Sequence, residues 1–285
     1  MKGEIYLLFT CALISLGTIQ CSEPPLMPEP DDRIVIDGWI ENGQFAKVLL
    51  TRNSPYFASI DSASIRSFVL TGAKVTLSDG ERSEVLILRR NDDYFPPFLF
   101  EGNEIIGDTG KTYTITANYG GKTAWAATTV PASVPLDSIS FNLEPDSDSL
   151  GNIYVEFTDP PVDKNYYRIL TKRSGKDPRY VSSMVMALDD IFLGTEKFGF
   201  ALRRGPESVI SSYGNEYFQL GDTVSIKFCV IDKAHFEFWN SFQAEAFNAG
   251  NPFASSLTVI KSNVQGDGLG IWGGYGANYY NIVLK

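Results

Sequence analysis

From Arg33 onward, apolar and polar positions follow short, mostly alternating runs, the period of β-strands rather than helices. Ile34 to Ile40 and Phe45 to Thr51 flank Asn42-Gly43, a hairpin signal, so these runs are expected to pair antiparallel. Further strands are expected at Ala73 to Leu77, before the turn Ser78-Asp79-Gly80, and at Ser83 to Leu88. Thr112 to Ala117, entered through Asp108-Thr109-Gly110, and Thr123 to Val130, after Gly120-Gly121, complete the series. About six or seven strands in roughly 100 residues suit an immunoglobulin-like sandwich over residues 33–131. Tyr56 to Arg66 keeps no period and reads as a loop or strand switch.

Pro131 and Pro135 bracket a linker, and a second β-rich domain is expected over 136–285. Its strands fall at Leu136 to Leu143, Ile153 to Phe157, Tyr166 to Thr171, Ser183 to Leu188, Phe198 to Leu202 and Thr223 to Ile231. One helix, residues 232–248, is marked by Phe238, Trp239, Phe242 and Ala246 on one face and by Asp232 as N-cap. The tail Gly266 to Gly276 is glycine-dense, which suggests backbone conformations that only glycine tolerates, and Tyr279 to Leu284 reads as the final strand. The fold class is therefore all-β: two sandwich-like domains in tandem, the second carrying the helix.

Composition agrees, with 13% aromatic residues, 25 Gly and 15 Pro. A formal charge of -10 repels phosphate backbones, so no nucleic-acid partner is expected. The first residues change the picture more. Lys2, the apolar stretch Ile5 to Leu16 and the break at Gly17 form an export signal over residues 1–20, since the apolar stretch is too short to span a bilayer. Cys21 follows immediately, in the position of a cysteine that lipoprotein signal peptidase leaves as an S-diacylglyceryl N-terminus. Ordinary secretory cleavage nearby, with Cys21 incidental, is the alternative. Buried acyl methylenes contribute about 0.8 kcal/mol each, enough for stable attachment to a membrane. Residues 22–32, with four prolines and four acidic residues, cannot pack a core and read as an extended tether.

Cys21, Val35-Ile36-Asp37-Gly38-Trp39-Ile40, Gly72 to Leu77, Gly110-Lys111-Thr112-Tyr113 and the Pro-bounded linker resemble the Bacteroidetes outer-membrane lipoproteins catalogued as a domain of unknown function (4249). His235 to Trp239, Asn251-Pro252-Phe253, Ser262-Asn263-Val264 and Gly270-Ile271-Trp272-Gly273-Gly274-Tyr275 resemble that family's closing pattern of helix, turn and Gly-rich terminal strand. The resemblance implies an outer-membrane lipoprotein, often encoded beside a TonB-dependent receptor, with no assigned reaction.

Catalytic chemistry finds little support. The single histidine, His235, sits among aromatics in the first helical turn and reads as a helix-start or interface residue. No G-x-S-x-G elbow is present, and Cys229, inside an apolar strand, reads as a small core residue rather than a reactive thiol. Asp146 to Gly151 begins like a calcium loop, but Leu150 and Phe157 stand where ligands are needed, so a solvated turn is expected. Gly270 to Gly276 lacks the lysine of a phosphate cradle. Trp272 and Tyr275 could stack on a sugar, although packing in the last sheet is the preferred reading. No cofactor is expected. The favoured role is a binding or accessory lipoprotein of TonB-dependent uptake; the alternatives are a carboxylate glycoside hydrolase on surface polysaccharide and an adhesin.

Overall fold

A computed structural model describes residues 32–53, 68–161, 164–190, 197–205, 216–248 and 259–285. Cys21, the export segment, residues 22–31 of the tether, the loop at Tyr56 to Arg66 and the Asn251-Pro252-Phe253 turn lie outside the described residues. The first half of the chain forms β1 (Ile34–Glu41), β2 (Phe45–Arg52), β3 (Lys74–Ser78), β4 (Ser83–Val85), β5 (Ile87–Arg90), β6 (Phe98–Ile106), β7 (Thr112–Tyr119) and β8 (Lys122–Thr129). The second half forms β9 (Ser138–Leu143), β10 (Leu150–Thr158), β11 (Tyr166–Arg173), β12 (Val181–Ser182), β13 (Leu188–Asp189), β14 (Lys197–Leu202), β15 (Phe218–Gln219) and β16 (Thr223–Ile231). Helix α1 (Lys233–Asn248), β17 (Gln265–Gly266) and β18 (Gly268–Val283) close the chain.

The protein is all-β in architecture. Asn42-Gly43 turns the first hairpin as read, with Gly43 at φ 73° and Trp39 opposite Lys47. A nine-stranded sheet runs β12-β11-β16-β18-β1-β2-β6-β5, with β13 also on β11. A five-stranded sheet, β17-β8-β7-β3-β4, and a four-stranded one, with β10 between β9 on one edge and β14 and β15 on the other, pack against it.

The last strand organises everything else. Its first half pairs parallel with β1, from Ile34 opposite Gly268 to Glu41 opposite Tyr275, and its second half pairs antiparallel with β16, from Val230 opposite Gly276 to Thr223 opposite Val283. At a rise of about 3.3 Å per residue it spans about 50 Å. Side chains alternate across it. Trp272 enters a core with Ile36, Val48, Leu77 and Ile115, while Tyr280 and Ile282, on the same face further along, pack on a second core with Phe157, Tyr167 and Phe228. The first core is built mostly from residues 34–130 but takes Val264 and Trp272 from the C-terminal segment, and the second is built from residues 134–284. They share one sheet, and Asp32 to Lys285 is one compact unit.

Four readings change. Ser83 to Leu88 is two strands: β4 pairs with β3 and β5 with β6, because buried Leu86 donates its N–H to Val75 O and the chain switches sheets there. Ser183 to Leu188 is no single strand, since only β12 and β13 pair with β11, and Ser183 bridges to Arg204. β6 was missed because Glu101-Gly102-Asn103-Glu104 interrupts its apolar alternation; Glu84, 5% exposed, accepts hydrogen bonds from the backbone N–H groups of Asn103, Glu104 and Ile105. The glycine-dense tail belongs to the extended strand itself. Gly270 does adopt a positive φ of 110°, but Gly273, Gly274 and Gly276 answer to space: a Cβ would strike the His235 ring at Gly273 and the backbone of Thr129 to Ala132 at the other two. Glycine there lets the interdomain linker cross the strand and lets α1 settle onto it.

Candidate functional site

The nine-stranded sheet has a second face, opposite the two cores. Apolar Ile36 and Ile40 of β1 point into the first core, so alternation sends Asp37, Trp39 and Glu41 to this other face. Register places Tyr275 beside Glu41, Lys227 beside Tyr279, and Arg168 beside Cys229 on the same face. Helix α1 covers part of it. Asp232 caps that helix, one carboxylate oxygen accepting the His235 N–H at 2.8 Å and the other accepting the Thr128 hydroxyl at 2.9 Å. Thr128 Oγ1 in turn accepts the Gly274 N–H at 2.8 Å, so one polar chain joins the helix start, β8 and β18.

Beneath the helix lies a network of charges and rings. Arg168 Nη1 donates to the Tyr275 hydroxyl at 2.5 Å, and its guanidinium stacks 3.5 Å from the centre of the Trp239 ring. Lys227 donates to Glu41, whose other oxygen accepts the Tyr279 hydroxyl, and the lysine ammonium lies 4.7 Å from the Tyr275 ring. Glu41 and Lys227 are 5% and 6% exposed, so this is a buried ion pair with a third partner satisfying the carboxylate.

His235 is 1% exposed, with its ring seated over Gly273 and 4.7 Å from the Tyr275 ring. Burial first, then the charges of Arg168 and Lys227, hold its pKa well below 6.5, so it is neutral when folded. The linkage has a definite sign. Below pH about 6.5 the unfolded chain binds a proton that the folded chain refuses, so stability is full above that pH and is lost as pH falls, at up to about 1.4 kcal/mol per pH unit. Urea titrations between pH 7 and 5 are expected to show this slope in the parent and to lose it in His235→Gln; an equal slope in both would contradict the assignment. Cys229, fully buried under the helix, has its thiol pushed up to about 12 by burial, and it serves packing rather than nucleophilic chemistry.

Beyond the helix the face is open to solvent at Asp37. Asp37 is exposed there, and desolvation by its neighbours raises its carboxyl against the pull of Arg168 and Arg179. It receives no hydrogen bond from the described residues. Trp39 and Tyr94 lie 6.1 Å apart beside it, Arg179 stacks 5.6 Å from the Tyr94 ring, and Tyr180 and Tyr279 lie 6.1 Å apart. Burial pushes the Tyr94 hydroxyl up to about 12, so it remains a donor at neutral pH. An open carboxylate, half-buried rings and a guanidinium are groups that grip a ligand or a partner's side chains.

Of the residues singled out in the sequence, His235, Cys229 and Tyr275 come together here. Trp272 does not: it is fully buried in the first core, its indole N–H donating to Tyr113 O at 3.0 Å, which removes it and buried Tyr275 as surface rings for a sugar. Asp146 to Ser149 is a turn leading into β10, in which Ser147 Oγ accepts the Ser149 and Leu150 N–H groups. Asp37, Glu41, Arg168 and Lys227 were not singled out. Their signal was a charged residue inside an apolar strand, as in Ile36-Asp37-Gly38 and Ile226-Lys227-Phe228.

Among solved structures, the chicken interferon gamma receptor alpha chain is similar at 9% identity over 70% of this chain and 88% of that one, with a TM-score of 0.22. No curated protein matches. The model of the family described as a domain of unknown function, DUF4249, matches residues 22–279, and the chain belongs to that family.

Proposed function

We propose that this protein is a lipid-anchored binding component of the outer membrane, acylated at Cys21, that presents the open sheet face around Asp37 to a TonB-dependent receptor or to the nutrient that receptor imports. The observation that carries the binding role is Asp37 itself: a solvent-reachable carboxylate in the middle of a sheet, beside Trp39 and Tyr94, with no hydrogen bond from the described residues. An exposed carboxylate flanked by half-buried rings and a guanidinium offers a partner an acceptor and apolar contact in one place. The sequence at Cys21 supports the anchor, and the family supports kinship without naming a reaction.

A hydrolase reading has less behind it. Asp37 and Glu41 stand four residues apart on β1, so their backbones are separated by about 13 Å, beyond the 5 to 9.5 Å or so between the carboxyl groups of glycosidases. Glu41 is also committed to Lys227 and Tyr279. The test is co-purification from detergent-solubilised outer membranes. The parent is expected to retain a TonB-dependent receptor, and Asp37→Ala and Trp39→Ala to reduce the retained amount at least tenfold while folding normally. Recovery of no such receptor with the parent, or equal recovery with both variants, would count against the reading.

A further inference from the structure

The charge of this chain is unevenly placed. Although the net charge is -10, one pole of the first half gathers Arg33, Arg52, Lys74 and Lys122 around two adjoining clefts, with Asp32 the acid among the lining residues. The clefts share Tyr119, Gly120 and Lys122, so the four cations form one surface. The topology explains the gathering: the start of β1, the end of β2, the start of β3 and the β7–β8 turn all meet at this end. Lys122 is 3.6 Å from the Asp32 carboxylate, whereas Lys74 is exposed without an acidic partner among the described residues, and Arg52 Nε is buried without a hydrogen-bond acceptor.

The chain enters the fold at this same pole, at Asp32. Between Cys21 and Asp32 lie residues 22–31, a Pro-rich segment, so that the two ends are at most about 40 Å apart when it is fully extended. A leash of that length keeps the pole at high effective concentration near any bilayer that holds its other end. β18 runs away from the pole, with Gly268 beside Ile34 at the near end and Val283 beside Thr223 at the far end.

We propose that this basic pole docks on the phosphate headgroups of anionic phospholipids, so that the body stands on the membrane with its first half down and its second half about 50 Å out, the length of β18. This rests on the lipid-anchor reading for its biological setting, and the experiment separates the two. Each basic group near an anionic surface strengthens attachment about fivefold, and salt screens it.

The chain from residue 22, carrying an N-terminal hexahistidine in place of the acyl group, is held on vesicles containing a nickel-chelating lipid in phosphatidylcholine, with or without phosphatidylglycerol. Lysine acylation is then read by mass spectrometry. Labelling of Lys74 is expected to fall about fivefold or more on the anionic vesicles relative to the zwitterionic ones, with exposed Lys285, beyond the far end of β18, unchanged. High salt or Lys122→Glu is expected to restore it. Equal labelling of Lys74 on both vesicles, or protection of Lys285 instead, overturns the docking. The native protein is run beside it: if the tagged chain docks but the native one carries no acyl group, docking stands and the anchor reading fails.

Discussion

Glu41→Leu is expected to lower stability by about 3 to 5 kcal/mol, because it leaves the Lys227 ammonium buried without its counter-ion. Lys227 cannot reach bulk water from beneath its neighbours, being 6% exposed, and the Tyr275 and Tyr279 rings offer only the weaker attraction of their π faces. The Tyr279 hydroxyl loses its acceptor as well. The loss belongs to the orphaned charge rather than to the pair. Glu41→Leu combined with Lys227→Met, which removes both charges and keeps the volume, should therefore recover most of the stability. Urea denaturation of the two variants decides the matter. A double variant as unstable as the single would mean that the network contributes through its hydrogen bonds and packing, not through balanced charge.

Trp272→Ala is expected to cost about 3 to 5 kcal/mol as well, for a different reason. The indole is the largest fully buried side chain of the first core, and its N–H satisfies Tyr113 O, so truncation creates a cavity and strands a carbonyl. The strand that carries it also lines the second core through Tyr280 and Ile282. Both halves should therefore unfold together, in a single transition shifted to lower urea when followed by circular dichroism and by calorimetry. Two separated transitions would show that the halves fold independently in spite of the shared sheet.

Much of this architecture was legible because β-strands announce themselves by alternation. The hairpin at Asn42-Gly43, β16 at Thr223–Ile231 and the Asp232 cap of α1 are local features, decided by residues a few positions apart. Pairing between distant segments is not local. Nothing near Gly268 to Tyr275 states that it lies parallel to β1 more than 200 residues earlier, and so the tail read as irregular glycine-rich chain with a short strand after it. Its glycines record the close passage of His235 and of the linker, which are tertiary facts. The charged face was hidden for the same reason: Glu41 and Lys227 meet only because β1 and β16 flank β18, and a lone charge in an apolar run shows only that something unusual faces it.

The proposed anchor at Cys21 is tested most directly by the mass of the N-terminal peptide of the mature protein, purified from cell envelopes. The result it requires is a peptide beginning at Cys21 and carrying a diacylglyceryl group on sulfur. A peptide beginning elsewhere, or an unmodified Cys21, would contradict it.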